Sequence, residues 1–357
     1  MKLVVNIKLV PNTEQKQLLM ETLKSANEAC EYISQIAWDQ QLFGQYGLHK
    51  IVYYDVKQRF NLTAQMVVRC IAKVADSYKK DTETQRHFRW NGAQPYDARL
   101  IRLKDDQASI WTLKGREKIP FVMGDDQRAL FAYQKGEMDL MCIHNKWYLA
   151  CVCDIPTPEE IGCTDVLGVD LGIVNIATDS NGKNYSGKQV NINRCIHAHR
   201  KQRLQKKGTK AAKRKLKTLA GKQARYQKDV NHCISKQIVQ DAQRTGSKIA
   251  LEDLGGIRKR VTAKRNQRAR LANWGFHQLR TFITYKAQRV GIPVVLVDPR
   301  YTSQECPSCG HIANQNRRNR NEFQCVQCGT AGPADAIAAR NIRARAAVNP
   351  PMVSEES

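Results

Sequence analysis

The opening residues Met1-Lys2-Leu3-Val4-Val5-Asn6-Ile7-Lys8-Leu9-Val10 read as a strand, which Pro11-Asn12-Thr13 stops. Asn12 and Gln15 stand at capping-box spacing, and Leu18, Leu19, Leu23, Ala26 and Cys30 follow at helical spacing. A second amphipathic helix is predicted from about Asn61, with Met66, Val67, Cys70, Ile71 and Val74 on one face. Strand patterning then returns over residues 108–113, 119–122, 138–143 and 146–153, the last two flanking a short His144-Asn145 turn. Strand, helices, strands in that order predicts a small β-barrel or sheet with a helical bundle inserted, or more simply an α+β domain. Pro156 and Pro158 mark a boundary.

Beyond it, Val166-Leu167-Gly168-Val169-Asp170 is a buried-type strand ending in a carboxylate, continued by residues 173–177 to a turn at Asn181-Gly182. Helical pattern over residues 229–244 ends at Gly246. Lys248-Ile249-Ala250-Leu251-Glu252 is a second strand with a terminal carboxylate, and a helix over 274–290 leads through Gly291 to a third strand at 293–297. Strands alternating with long helices make this half an α/β layer.

Charge narrows the choice of partner. The 357 residues hold 58 Lys+Arg against 33 Asp+Glu, a formal +25. Residues 1–160 are nearly neutral at +2, and residues 161–357 carry the remaining +23. Residues 194–228 contain 14 Lys+Arg and no acid, and residues 258–270 contain seven and none. Such runs describe either a solvated or disordered arm or helices tracking a polyanion backbone; nucleic acid is the leading partner. An ordinary metabolic enzyme gains nothing from that self-repulsion.

Of twelve cysteines, eight are scattered: Cys30, Cys70, Cys142, Cys151, Cys153, Cys163, Cys195 and Cys233. No secretory leader or membrane-length apolar run is evident, so a soluble, reducing, cytoplasmic setting is expected. The other four form Cys306-Pro307-Ser308-Cys309 and Cys325-Val326-Gln327-Cys328, each followed by a glycine. Two such knuckles supply the four soft ligands of a closed, structural zinc site. Arg317, Arg318 and Arg320 between them suit phosphate contact or plain solvation.

In a region poor in acids, Asp170 and Glu252 end apolar strands and Asp335 lies in the first turn of a helix. Buried carboxylates are costly unless paired or metal-bound. Converging, these three would hold two divalent cations for phosphodiester hydrolysis. Singly, Asp335 suits a helix dipole, Glu252 a neighbouring arginine and Asp170 a turn. Asp253 rivals Glu252 but points to the opposite face of a continuing strand.

Gly168-Val169-Asp170-Leu171-Gly172 with Ile176-Ala177-Thr178, and Ile249-Ala250-Leu251-Glu252-Asp253-Leu254, resemble the first two RuvC motifs of TnpB proteins. Tyr285-Lys286-Ala287, Gly291-Ile292, Tyr301-Thr302-Ser303-Gln304 and the first cysteine knuckle resemble the segment leading into that family's zinc knuckle, and Asp335 with Ala338-Ala339-Arg340-Asn341-Ile342 resembles the third motif. Lys8-Leu9-Val10-Pro11 and the helix near residues 61–78 resemble the family more weakly. Ile337 stands where the family commonly has Asn.

The resemblance implies an α/β plus α+β architecture. A wedge-like N-terminal β-barrel module with an inserted helical bundle (1–160) would serve flanking-motif and guide RNA recognition. An RNase H-like RuvC nuclease domain (161–302) with a basic helical insertion follows, then a zinc-ribbon nucleic-acid-binding domain (303–330), a final RuvC helix (331–346) and a flexible tail (347–357). It implies an Asp170, Glu252, Asp335 triad holding two Mg2+, one structural Zn2+ on Cys306, Cys309, Cys325 and Cys328, and an omega-type guide RNA from the same mobile element. That RNA would direct cleavage of double-stranded DNA in a prokaryotic cytoplasm, at the nucleoid when DNA is bound, with base pairing reading sequence. Compact type V CRISPR effectors share this layout. A nuclease-inactive RNA-guided repressor of the same ancestry would be expected to lack a carboxylate, and a strand-transferring transposase would need chemistry for which no Tyr motif is seen. Trp274, beside Leu271, Phe276 and Leu279, is expected in a core.

Overall fold

The computed structural model describes residues 1–172, 174–254 and 276–348. The basic run 258–270, Trp274 and the tail from residue 349 lie outside the described residues. The chain divides into two compact units, Met1–Pro156 and Thr157–Ser357. Among the described residues no helix is long and apolar enough to cross a membrane.

In the first unit, β1 (Lys2–Leu9) buries Val5, Ile7 and Leu9 on one face. It lies antiparallel between β7 (Lys146–Asp154) and β5 (Gly115–Val122). Three helices are inserted after it: α1 (Thr13–Asp39), α2 (Gln45–Arg59) and α3 (Ala64–Tyr78). The Asn12 side chain accepts from the Gln15 amide at 2.8 Å and the Gln15 side chain from the Asn12 amide at 3.2 Å, so the capping box closes in both directions. Asn12→Ala is expected to cost about 1 kcal/mol in thermal unfolding.

The sheet continues with β2 (Gln94–Tyr96), β3 (Ile101–Lys104), β4 (Gln107–Thr112) and β6 (Gln134–Ile143), with a short α4 (Asp125–Phe131) before β6. The seven strands run β2-β6-β7-β1-β5-β4-β3. Laid flat at about 4.8 Å per strand, the edges would stand roughly 29 Å apart, yet β2 and β3 are joined by a link that spans at most about 17 Å. The sheet therefore curls into a nearly closed barrel, and the Tyr96 hydroxyl donates to the Trp111 carbonyl at 3.2 Å across the gap. His144 and Asn145 both take positive φ, 50° and 60°, as a two-residue hairpin turn requires.

In the second unit, β8 (Asp165–Asp170), β9 (Asn175–Asp179) and β10 (Asn184–Ser186) form an antiparallel meander turning at Gly182. Next come α5 (Lys188–Lys207), α6 (Lys210–Ala220) and α7 (Lys222–Arg244). The positive φ of Gly208, 62°, breaks α5 from α6, and Thr209 caps α6. Strand β11 (Ser247–Glu252) then pairs parallel with β8 on one side and β12 (Val294–Val297) on the other. The order is β10-β9-β8-β11-β12. On one side α7 and α8 (Phe276–Gln288) cover the sheet through Ile238, Val239, Leu279 and Ile283. On the other, α9 (Ala334–Val348) packs Ile342 and Ala346 against Val166, Ala250, Val295 and Val297. A small hairpin, β13 (Glu322–Gln324) and β14 (Ala331–Pro333), leads directly into α9.

Candidate active site and metal centre

Leu251 of β11 stands in register with Val169 of β8, so the next residues, Glu252 and Asp170, emerge side by side at the carboxyl ends of neighbouring parallel strands. Asp335 is brought to them by an unusually close helix–strand contact. A Cβ on Gly168 would lie 2.2 Å from the Ala339 carbonyl and 2.6 Å from the Arg343 amide, so only glycine lets the α9 backbone rest on β8. The three carboxylates line one cavity of about 290 Å³ with Phe276, Ser303, Arg317 and Arg320.

Each acid is held. Asn175 donates its side-chain amide to Asp335 Oδ2 at 2.9 Å, and the Thr302 hydroxyl donates to Glu252 Oε1. Burial, then the charges of Glu252 and Asp335, push the Asp170 carboxyl up to about 8, with Arg317 pulling the other way. Burial also raises Glu252, against the Thr302 hydrogen bond and Arg345. A concave site where burial and the neighbouring Glu252 and Asp335 all disfavour charge on Asp170 is a poor place for bare charge and a good one for a hard cation. Asp253 is exposed and ion-paired with Arg280 at 2.8 Å, and it does not line the cavity.

Asn175 carries no sequence signal of its own, and Thr302 stands out only as part of the Tyr301–Gln304 motif; their long-range hydrogen bonds reveal what each holds. Arg317 and Arg320, read from sequence as phosphate contacts or solvated charge, reach the carboxylate cavity; Arg318 is exposed and does not line it.

The four knuckle cysteines have their Sγ atoms within 4.8 Å of one another. The Cys306–Cys328 and Cys309–Cys325 separations are 3.5 and 3.6 Å. Thiolates about 2.3 Å from a shared zinc stand roughly 3.8 Å apart at the corners of a tetrahedron, so the donor set fits that ion. Gly310 and Gly329 take φ of 73° and 75°, and their amides donate to the Cys306 and Cys325 carbonyls at 2.9 and 3.0 Å. Buried Asn316 sews the knuckles together, donating to the Gln304 and His311 carbonyls and accepting from the Val326 amide. Cys306 and Cys325 share a small core with Phe323, Ala334 and Ile337. Ile337, the departure from the family pattern, is thus the apolar peg that seats the ribbon on α9. Cys309→Ser is expected to lose most bound zinc, checked by metal analysis of the purified chain; full zinc content in that variant would remove the assignment.

Two family models match this unit and the strand before it. Residues 151–255 match one described as a probable transposase, and residues 276–342 match the Cas12f1-like TNB domain. A TnpB-like protein of Methanocaldococcus jannaschii is 31% identical over 190 residues, 50% of this chain and 67% of the relative. The chain belongs to the TnpB family. Among other TnpB-related proteins, a Cas12f1 CRISPR-associated endodeoxyribonuclease of Syntrophomonas palmitatica is 30% identical over 231 residues, 59% of this chain and 46% of that protein. The putative RNA-guided DNA endonuclease InsQ of Escherichia coli K12 is 29% identical over 216 residues, 56% of this chain and 54% of InsQ. This TnpB-family chain spans about half the length of the Cas12f1 proteins it matches. Its fold resembles that of CasPhi-2 (Cas12j) solved bound to crRNA, with a TM-score of 0.53 at 10% identity, covering 100% of this chain and 99% of the other.

Proposed function

We propose that the chain is a TnpB-type RNA-guided DNA endonuclease whose second unit is an RNase H-like RuvC domain. The observation that carries this reading is the convergence of Asp170, Glu252 and Asp335 from β8, β11 and α9 on one cavity. The strand order, with an antiparallel meander beside two parallel strands, supports it, as do relatives named for RNA-guided or CRISPR-associated DNA cleavage.

The three carboxylates would hold two Mg2+ ions. Bound there, these ions supply an activated water and stabilisation of the leaving oxygen. The chain's own residues do the rest. Asn175 fixes the Asp335 carboxylate, and the cations of Arg317 and Arg320 draw a phosphodiester to the cavity mouth. The four cysteines would hold zinc in a closed shell with no position for substrate, a structural role. Helices α5 to α7, rich in Lys and Arg, provide the phosphate-binding surface that an RNA and two DNA strands require. The near-neutral barrel unit would read the flanking motif.

The test is to purify the chain with its co-expressed RNA, sequence that RNA, and assay a matched DNA target. Mg2+-dependent cleavage is expected in wild type and a loss of at least about a thousandfold in Asp170→Ala. Tight target binding without wild-type cleavage would refute the nuclease reading in favour of a DNA-binding role. The RNA's origin separates a mobile-element guide from a CRISPR repeat transcript.

A further inference from the structure

Glu252 and Asp335 sit on different elements, and their separation decides whether one cation can be shared between them. A hydrogen-bonded path joins the two. The Thr302 side chain, only 3% exposed, has a single hydroxyl proton and two acceptors in reach, Glu252 Oε1 and the Pro299 carbonyl at 3.1 Å. An ionised carboxylate is the stronger acceptor, and it is also the nearer one. Thr302 is held in turn by Asn341, also 3% exposed, which spends its two amide hydrogens on the Thr302 and Glu305 carbonyls, both at 2.8 Å. Asn341 lies on α9, the helix that begins with Ala334 and Asp335. Arg345 of that helix grips the same segment through the Asp298 and Arg300 carbonyls and the Glu305 carboxylate. The segment is bent to fit: Tyr301 takes a positive φ of 63°, a conformation that costs a non-glycine residue about 1 kcal/mol or more and persists where the surroundings enforce it.

We infer that Thr302 is a positioning residue for Glu252, and that Asn341 ties it to α9 so that the Glu252–Thr302–Asn341 strut fixes the spacing of the metal-binding carboxylates. The inference rests on the nuclease reading of the cavity. Without the hydroxyl, Glu252 is free to swing away from the geometry that the cations need, and a lost outer-shell partner of a metal ligand typically weakens binding about 10–100-fold.

The test uses the full chain with its co-purified RNA and two readouts: Mn2+ affinity by electron paramagnetic resonance, and the Mg2+ concentration giving half-maximal cleavage. Thr302→Val is expected to weaken Mn2+ binding by about tenfold or more and to raise the Mg2+ requirement by a similar factor, with target binding in chelator unchanged. Thr302→Ser restores both to within about threefold, and Asn341→Leu shifts both in the direction of the valine variant. Thr302→Ala carries the same comparison if the valine variant does not fold. Valine-variant affinity within about twofold of wild type, or a serine variant as impaired as valine, overturns the strut. Wild type that binds Mn2+ without cleaving overturns the nuclease reading while the Mn2+ comparison still decides the strut. Wild type that binds no Mn2+ overturns both.

Discussion

Gly168→Ala is expected to reduce target cleavage by about 100-fold or more while removing only about 1–3 kcal/mol of stability. The added methyl would overlap the backbone of α9 at both Ala339 and Arg343, and backbone has no rotamer to yield. Relief comes from α9 moving away from β8, which carries Asp335 off Asp170 and loosens the Asn175 hydrogen bond. Displacement of about 1 Å at a reacting centre suffices for a loss of that size. Gly162→Ala is the control, since a methyl there meets nothing within 4 Å. Thermal unfolding and single-turnover cleavage measured on both variants check the expectation; a Gly168→Ala protein that cuts within about threefold of wild type would show that the helix–strand contact does not set the site.

The second large effect runs in opposite directions for stability and activity. In the metal-free chain, Asp170 is held near two other carboxylates, and its carboxyl is raised to about 8 from an ordinary value near 4. A carboxyl raised on folding binds its proton more tightly in the native state than in the unfolded one. Native stability is therefore highest at acid pH with respect to this group, and it falls as pH rises from about 4 through about 8. Asp170→Asn removes that slope. At pH 8.5 without metal the variant is expected to melt several degrees above wild type, on a scale of about 2–4 °C per kcal/mol for a unit of this size. Mg2+ should raise the wild-type melting temperature and leave that of the variant nearly unchanged, and cleavage should fall by about a thousandfold or more. Scanning melts at pH 5 and 8.5, with and without Mg2+, check all three; an Asn variant that melts below metal-free wild type at pH 8.5 would contradict the charge conflict.

How much of this was legible beforehand varies with the physics of each feature. Strand β1, the capping box and the Met66-to-Val74 stripe were readable because local periodicity and cap chemistry set them. Both knuckles were readable because metal ligation demands fixed spacing. Helix α2 carries little sequence signal: it buries Leu48, Val52 and Val56 on one face while its other faces expose the apolar Tyr46, Ile51 and Tyr54, so the contrast between faces is faint. The basic run 194–228 read equally as arm or helices, since charge hides the thin apolar stripe. In the structure it is helical, starting earlier at Lys188 and broken at Gly208 and Gly221. The strand-end positions of Asp170 and Glu252 were legible, and so was the helical first turn of Asp335. That Gly168 exists to admit α9 was not, because nothing local to a strand announces a helix far along the chain.

That distance has a consequence during synthesis. The Asn175–Asp335 hydrogen bond spans 160 residues, and the Asp165–Arg343 ion pair spans 178. A ribosome delivers β8, the basic helices and β11 well before α9, leaving the trough over Gly168 open until then. A nascent chain, or a product interrupted before Asp335, carries two acids of the trio and the whole polycationic surface. On the nuclease reading proposed above, the order of translation holds back assembly of the three-carboxylate site until α9 docks.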